Sequence, residues 1–288
     1  MVARILRQNA CVWTCPSCGR DNTTPYCPAC GERPRDPGAL TMRGLLNQAF
    51  EAVSNIDGRL PRSFWRLVAR PGDLTAAFIA GRRRPYLGPV ALFLVANVVF
   101  FAAESVTHGL VFTTPLASHL NTQPWSGMAQ SLVARQLDAQ HASLAAYAAR
   151  FDRAIALHAR SLILLMVLAF SPLPALVFRR SGQPFGAHAV FSLHFYAFML
   201  LLFSVATAIP AAGVPFGWQR STSQPLDAVL SIVLLLACGA YLYRAIGRVY
   251  GGRTRWRLTS AAVLTCGAAA IVLAYRFALL LITLYTTA

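Results

Sequence analysis

Charged side chains are scarce in this chain of 288 residues, and lysine is absent, so that arginine supplies the basic charge. Only 12% of the residues are charged, 56% are hydrophobic, and the mean hydropathy is +0.50. A soluble domain of this length needs a more polar surface. The composition therefore predicts a protein that lies largely in a lipid bilayer.

Acidic residues are fewer than basic ones, with 10 Asp and Glu against 26 basic residues and a formal net charge of +16. Such a surplus is typical of proteins that bind nucleic acid or anionic lipid. The arginines cluster beside apolar stretches and do not form one continuous patch. This distribution favours membrane topology as their role and disfavours nucleic acid as a partner, because groove binding needs charge on one accessible face.

Catalytic motifs are also missing. The sequence has no GxSxG elbow, no GxxxxGK phosphate loop, no HExxH pair and no paired carboxylates. His188 and His194 are six residues apart, which points them to different faces of a helix. We therefore predict no catalytic residue and no enzymatic activity.

A secretory signal is not recognisable in Met1 to Thr14, which lacks an apolar core and a small-residue cleavage site. We therefore expect the amino terminus to stay in the cytoplasm. Thiols remain reduced there, so closely spaced cysteines are expected to bind a metal ion and not to form disulfides.

Four of the seven cysteines form two matched CxxCG pairs, Cys15-Pro-Ser-Cys18-Gly19 and Cys27-Pro-Ala-Cys30-Gly31. Each pair places two thiolates on one tight turn, and two such turns supply the tetrahedral sulfur ligands of a zinc ribbon. Four protein ligands leave no open position, so the predicted Zn²⁺ is structural. Iron in a rubredoxin-like site and a redox-active CxxC are the weaker alternatives. The remaining thiols, Cys11, Cys238 and Cys266, have no partner at ligand spacing.

Five apolar stretches are long enough to cross a bilayer. The predicted fold is an all-α integral membrane helix bundle with a small N-terminal zinc ribbon. Pro172 and Pro174 are expected to bend the second span near its cytoplasmic end. The predicted spans are 86–103, 161–178, 188–209, 226–243 and 258–281, with an external helical segment at 106–158. Before them lie an extension at 1–14, the ribbon at 15–31, a linker at 32–40 and amphipathic helices at 41–85, which either lie on the membrane surface or cap the bundle.

Arginine placement orients these spans. The arginines flanking the first span, following the second, and separating the fourth from the fifth would all lie on one side of the membrane. The positive-inside rule then places the amino terminus in the cytoplasm and the carboxyl terminus outside. In the basic run before the first span, Arg82, Arg83 and Arg84 are expected to contact lipid phosphates.

Three polar residues fall inside the predicted spans, where an ionisable group is costly unless it has a partner or reaches water. Asn97 and Glu104 are seven residues apart on the first span, and Arg276 lies about equally far along the fifth. We expect Glu104 and Arg276 to meet near the outer leaflet and predict an ion pair between them. The alternative is that each side chain reaches the external interface independently.

The segments Arg70-Pro71-Gly72 and Phe78 to Pro89 lead directly into the first span. Together with the two cysteine pairs they resemble an uncharacterised bacterial membrane-protein family, a domain of unknown function. Its members join an N-terminal zinc ribbon to several membrane helices and share an RPG…GxRxxYxxP motif. The resemblance implies this architecture and no established activity. Glu32 departs from the glutamine that such ribbons often carry, and Pro85 interrupts the basic run.

Three functions are compatible with these features. In the first, a multi-pass protein of the bacterial inner membrane uses its ribbon to dock a protein partner or its own loops. In the second, the spans move a small solute or lipid, with Asn97, Glu104 and Arg276 lining the route. In the third, a membrane-anchored regulator contacts nucleic acid through the ribbon, which the few basic and aromatic residues there make the poorest of the three. The sequence does not specify an oligomeric state.

Overall fold

The computed structural model describes residues 12–34, 41, 58–107, 111–213 and 224–287. Most of these residues are helical, and two short strands lie at the amino-terminal end. Most of the predicted 32–40 linker and the helical spacing at Leu45 to Val53 lie outside the described residues. The amphipathic segment that follows is described from Gly58 onward.

The first cysteine pair lies between the two strands of a small antiparallel sheet, β1 (Trp13–Thr14) and β2 (Asp21–Asn22). Trp13 faces Asn22 and Thr14 faces Asp21. The Thr14 hydroxyl donates to the Asp21 carboxylate at 2.6 Å, and the Trp13 indole donates to the Thr24 carbonyl at 2.8 Å. So small a sheet cannot bury a core of its own, and a metal ion is the usual substitute.

Two short helices precede the first span, α1 (Arg59–Ala69) and α2 (Asp73–Ile79). The turn between them uses Gly72 in the left-handed region at φ +85°, which glycine adopts at little cost. Asp73 then opens α2 in a position where its negative charge suits the helix N-terminus. Its carboxylate also pairs with Arg66 at 2.8 Å and Arg248 at 2.7 Å, which joins α1 and α2 to the long helix Gln224–Val249.

Four long helices form most of the helical bundle: α3 (Pro89–Thr107), α9 (Phe185–Gly213), α10 (Gln224–Val249) and α11 (Thr254–Thr286). Among the described residues, α3 packs most extensively on α9 and α10 on α11. Each is apolar on all sides, as expected of helices that face lipid as well as protein. The segments that could cross a membrane are Pro89–Thr107, Phe185–Ile209, Val229–Val249 and Thr254–Thr286.

The predicted second span is a broken helix and not a continuous one. It consists of α6 (Leu144–Leu162), α7 (Leu164–Phe170) and α8 (Pro172–Val177). The 55° bend lies between Leu144–Arg160 and Leu164–Val177, earlier than the prolines had suggested. Pro172 instead occupies the first position of α8, where a missing N–H costs nothing. Next to the bend, the Ala159 carbonyl accepts a hydrogen bond from the Tyr275 hydroxyl at 2.7 Å.

The broken helix runs alongside α11 from one end of the bundle to the other. Ala159 lies beside Tyr275, and Phe178 stacks on Tyr250 with ring centroids 4.0 Å apart. About 19 helical residues of α11 separate Trp256 from Tyr275, a rise of about 29 Å. That rise is close to the thickness of a hydrocarbon core, about 30 Å. If the bent pair is counted as one crossing, the helices that could span a membrane number up to five.

The segment between the first two spans is helical in part, with α4 (Leu116–Asn121) and α5 (Ser126–Gln140) before α6. In the sequence, apolar and histidine residues from Leu137 to His158 recur at alternating spacings of four and three, which predicts one continuous helical stripe running into the second span. The structure interrupts it. His141 adopts φ +49° and ends α5, and Ser143 caps the new helix by accepting from the Ala146 N–H. The buried stripe of α6 instead recurs every fourth residue: Tyr147, Phe151, Ile155 and Ala159.

The two termini of the described chain lie at opposite ends of the bundle. The ribbon contacts residues 83 and 84, just before α3 begins. Thr287 bonds to Gln140 and Tyr147 at the far end, beside the segment that joins α3 to α6. The ribbon end carries the arginine-rich loops around residues 179–180 and 248–257.

Candidate functional site

The four cysteines of the ribbon converge on one point. Their sulfur atoms all lie within 4.8 Å of one another, and the two closest pairs, Cys15 with Cys30 and Cys18 with Cys27, are 3.5 Å apart. Four thiolates bound to one zinc ion at about 2.3 Å would lie about 3.8 Å apart at the corners of a tetrahedron. The spacing therefore fits a tetrahedral metal ion bound by sulfur alone.

The two halves of this centre are built alike. The Cys15 N–H donates to the Arg20 carbonyl at 2.8 Å, and the Cys27 N–H donates to the Glu32 carbonyl at 2.8 Å. Gly19 and Gly31 close the two turns at φ +74° and +68°, each donating its N–H to the carbonyl of the first cysteine of its pair. The repeated CxxCG sequence thus produces a repeated backbone turn, because both glycines supply the left-handed conformation that ends it.

The pKa values of neighbouring thiols in the cluster are shifted in opposite directions. Although desolvation raises it, backbone N–H groups of Cys30 and Ala29 lower the pKa of the Cys27 thiol to about 6. A backbone N–H from Glu32 lowers the pKa of Cys30, but desolvation and the neighbouring thiols raise it to about 12. Four adjacent thiolates need a divalent cation to remain ionised together. The donor set therefore fits a bound metal ion, held by Cys15, Cys18, Cys27 and Cys30.

Glu32 fastens the ribbon to the elbow, which we define as residues 81–85. Its side chain is buried, and one carboxylate oxygen accepts from the backbone N–H groups of Arg83 at 3.0 Å and Arg84 at 3.1 Å. The same oxygen accepts from the Ser17 hydroxyl at 2.7 Å, inside the first cysteine turn. One carboxylate thus joins the first cysteine pair, the end of the second pair and the chain leading into α3. Hydrogen bonds to a charged acceptor are the stronger ones.

The three arginines of the elbow have different surroundings. The Arg84 guanidinium lies against Gly31, so close that a Cβ atom there would be 2.8 Å from its Cζ. Arg83 lies over the Phe78 ring at 4.8 Å, while the side chain of Arg82 is exposed. Arg84 is also exposed. The lipid-phosphate contact expected of Arg82, Arg83 and Arg84 stays a prediction.

Glu104 and Arg276 meet on the same short segment and do not form a direct ion pair. Arg276 donates two hydrogen bonds to the Val111 carbonyl, at 3.0 and 2.6 Å. The Glu104 carboxylate accepts from the Phe112 N–H at 3.3 Å and the Thr113 hydroxyl at 3.2 Å. We call residues 111–113 the strap. Both charges therefore hold the backbone of the strap from its two sides.

The strap inserts a phenylalanine among three spans. Phe112 is fully buried, with its ring 5.4 Å from Phe100 of α3, 6.0 Å from Phe203 of α9 and 5.7 Å from Tyr275 of α11. Irregular backbone at this depth needs its polar groups satisfied by protein. Glu104 and Arg276 meet that need, which explains why two charged residues are retained in apolar helices.

Other polar groups lie near these two charges. His119 of α4 is fully buried, and desolvation together with the positive charge of Arg276 lowers its pKa to about 4. It therefore stays neutral at physiological pH and accepts a hydrogen bond from the Trp125 indole at 3.2 Å. The Asn97 Nδ2 is buried on α3 with no hydrogen-bond partner among the described residues.

Removal of the Arg276 charge is expected to destabilise the bundle. Arg276→Met would leave Glu104 buried without its neighbouring cation and the Val111 carbonyl without its donor, at a cost of about 3–5 kcal/mol. Glu104→Gln keeps an acceptor for the strap and should cost about 0.5–1.5 kcal/mol. The measurement is the free energy of unfolding of the full chain in mixed micelles.

Arg153→Met provides the control, because Arg153 is exposed and bonds only to the carbonyl of Ala149 in its own helix. It should change the unfolding free energy by less than about 0.5 kcal/mol. The exchange of Glu104 and Arg276 should be no more stable than either single change, since a carboxylate at 276 would face the Val111 carbonyl. Recovery of stability in the exchanged protein would instead indicate a direct ion pair.

Sequence reasoning did not identify several polar contacts between the helices of the bundle. Thr75 of α2 bonds to His194 of α9 at 2.8 Å, and His188 bonds to the Tyr250 hydroxyl at 2.8 Å. Both histidines are therefore paired groups of the bundle, which agrees with the absence of a ligand pattern around them. The ion pairs of Asp73 with Arg66 and Arg248 were also not predicted. An acidic residue close to several arginines in so basic a chain could have suggested them.

A family model described as a protein of unknown function (DUF3667) matches residues 57–101. The matched segment contains α1, α2, the elbow and the first part of α3, and it does not reach the cysteines. Comparison with curated proteins and with solved structures finds no match. The family match supports an uncharacterised domain family for this segment, and it carries no activity.

Proposed function

We propose that this chain is a multi-pass protein of the bacterial inner membrane in which a structural zinc ribbon acts as a clamp on the cytoplasmic end of the bundle. The observation that carries the proposal is the position of Glu32. Its buried carboxylate bonds to the Ser17 hydroxyl within the ribbon and to two backbone N–H groups of the elbow. Through these bonds, Glu32 joins the metal centre to the segment that leads into α3.

The cytoplasmic location rests on the arginine distribution. The ribbon contacts the arginine-rich end of the bundle, and positive-inside asymmetry places such loops in the cytoplasm. The described carboxyl-terminal residue, Thr287, lies at the other end. We therefore propose a cytoplasmic amino terminus and an external carboxyl terminus.

Transport of a solute or lipid is the alternative that the intramembrane polar residues suggested. Glu104 and Arg276 are both engaged by the backbone of the strap, and Phe112 fills the space between the spans. Groups held in this way are not free to bind a solute. These contacts support a structural role for the two charges, and we propose no catalytic residue.

A protein partner of the ribbon is the second function that we propose. The ribbon surface presents Tyr26, which is 48% exposed, with the Arg33 guanidinium 5.0 Å from its ring centre, and Val12, which is 68% exposed. Exposed aromatic and arginine side chains are enriched in protein interfaces. The Arg33–Tyr26 contact within the ribbon gives little support to nucleic acid as the ligand, which would need a longer basic and aromatic surface.

The clamp is tested by replacing Glu32 with alanine. Glu32→Ala should leave the metal content unchanged, because all four thiols remain, but it should release the elbow. Each lost charge-assisted hydrogen bond is worth about 1.5–3 kcal/mol. Amide hydrogen exchange of residues 81–87 should therefore accelerate by about 10- to 100-fold in the full chain in detergent.

Asp21→Ala is the matched control, because Asp21 is an acid of the same ribbon that bonds only to Thr14. It should leave exchange at the elbow unchanged. Glu32→Gln should fall between the two, since an amide oxygen accepts one hydrogen bond without the charge. An elbow that exchanges equally slowly in Glu32→Ala and wild type would contradict the clamp.

A further inference from the structure

A cleft of about 480 Å³ opens beside the end of the broken helix. It is lined by residues 177–181, which end α8 and form the following turn, and by Tyr250 and Trp256, which flank the loop between α10 and α11. Its lining combines an apolar side with two arginines, Arg179 and Arg180. A volume of this size is typical of sites that hold a small molecule or a lipid headgroup.

The position of the loop fixes the depth of the cleft in the bilayer. Both helices that flank the loop, Val229–Val249 and Thr254–Thr286, are long and apolar enough to cross a membrane. The loop of residues 250–253 that joins them must therefore lie at the membrane surface. Trp256 is 53% exposed in the first turn of α11, at the headgroup level where indole rings concentrate.

The arginines near the cleft differ in whether they are already engaged. Arg248 pairs with Asp73 at 2.7 Å, and Arg257 donates to the Tyr243 carbonyl at 3.2 Å while lying over its ring. Arg179 and Arg180 are exposed and form no ion pair with any described residue. Two consecutive arginines that line a cleft are well suited to a phosphate, which accepts several hydrogen bonds at once.

Two residues that line the cleft, Phe178 and Tyr250, belong to an aromatic stack. Phe178 and Tyr250 lie 4.0 Å apart at an interplanar angle of 9°, and the His188 ring follows at 5.6 Å and 12°. The Tyr250 hydroxyl is held by the His188 Nδ1 at 2.8 Å. The cleft is thus lined by the aromatic side chains of Phe178, Tyr250 and Trp256 as well as by the two arginines. Such a lining suits the glycerol and upper acyl carbons of a lipid better than it suits a hydrated free anion.

We propose that this cleft binds the headgroup of an anionic phospholipid, with the phosphate held by Arg179 and Arg180 and the adjoining acyl carbons against Trp256. The cleft lies at headgroup depth and on the arginine-rich side of the bundle. Anionic lipids are concentrated in the cytoplasmic leaflet that such a side faces. This site is independent of the metal ribbon and of the elbow arginines.

The full chain is reconstituted into phosphatidylcholine vesicles that contain increasing fractions of phosphatidylglycerol with brominated acyl chains. Bromine quenches nearby tryptophans, and the difference between wild type and Trp256→Phe isolates the signal of Trp256. Quenching should saturate at a lower fraction of brominated phosphatidylglycerol than of brominated phosphatidylcholine. Arg179→Gln with Arg180→Gln should raise the half-saturating fraction about tenfold, as expected from the loss of charge-assisted contacts.

Arg253→Gln with Arg255→Gln removes the same charge from exposed residues at the end of the loop and in the first turn of α11, and it should leave the half-saturating fraction nearly unchanged. Arg179→Lys with Arg180→Lys keeps the charge and should retain most of the preference, which controls for folding. Equal weakening in both glutamine variants would overturn the site in favour of a general surface potential. Displacement of the brominated lipid by inorganic phosphate alone would overturn the lipid assignment in favour of a free anion.

Discussion

Replacement of Cys15 and Cys27 by serine in the same chain is expected to abolish metal binding and unfold the ribbon. The two changes remove one thiolate from each cysteine pair, so neither half keeps its two ligands. Structural zinc contributes about 10–16 kcal/mol of binding free energy to small domains of this kind, which exceeds what a two-stranded sheet can replace. Elemental analysis of purified protein should show equimolar zinc in wild type and almost none in the variant.

The consequence should extend beyond the ribbon. Glu32 follows Cys30 by two residues, and its carboxylate reaches the elbow only while the second cysteine turn is formed. Amide exchange at residues 81–87 should therefore accelerate in the cysteine variant at least as much as in Glu32→Ala. In Glu32→Ala the metal is retained, so the two variants separate loss of the metal from loss of the clamp.

Cys266→Ser is the control, because Cys266 is an exposed thiol of α11 outside the cluster. It should leave zinc content and elbow exchange unchanged. Wild-type protein without a stoichiometric metal ion would contradict the metal centre, and visible absorption from ferric thiolate would identify iron in place of zinc. Proteins that copurify with wild type and equally with the cysteine variant would count against a partner of the ribbon.

Gly72→Ala is expected to have the second large effect, a loss of about 2–5 kcal/mol in the free energy of unfolding. A left-handed residue with a side chain costs about 1–2 kcal/mol, and steric overlap in a packed site adds about 1–3 kcal/mol. Gly72 has φ +85°, and a Cβ atom there would lie 2.8 Å from both the Cα and the carbonyl oxygen of Ala245 in α10. Backbone atoms of a spanning helix cannot move aside as a flexible side chain can.

Gly182→Ala separates the two causes. Gly182 has a similar φ of +69°, but a Cβ atom there would meet nothing within 4 Å. It should lose only the backbone contribution of about 1–2 kcal/mol. Unfolding in mixed micelles measures both variants, and equal losses would show that close packing of α2 on α10 does not matter. The comparison also gives a physical reason for glycine in the Arg70-Pro71-Gly72 segment.

Some features of the fold were predictable because they depend on local spacing. The two CxxCG pairs placed four sulfur atoms around one point, as their spacing indicated. Each predicted span contains helix in the structure. For most of them, the observed helix ends differ from the predicted ends by a few residues. The helix breaks at Ser171, just before Pro172, but the 55° bend lies earlier, beside the Tyr275 contact, and was not predicted from the prolines.

The pairing of Glu104 with Arg276 shows where spacing along helices is insufficient. Both side chains do reach the same place, as their equal distance along the two spans indicated. The groups they bind belong to the strap, an irregular segment whose path no periodicity describes. A direct ion pair was the simplest expectation for two opposite charges. The backbone groups of the buried strap also need hydrogen-bond partners, and the two side chains supply them.

The sequence by itself determined the tetrathiolate cluster, the apolar helices and the arginine-rich side, because each depends on residue types at short, regular separations. Only the tertiary structure decided what the isolated polar side chains do. Glu32 and Arg83 are 51 residues apart, and Arg276 and Val111 are 165 apart. Contacts across such distances depend on how the helices pack, and the need to satisfy buried backbone groups then selects the partner.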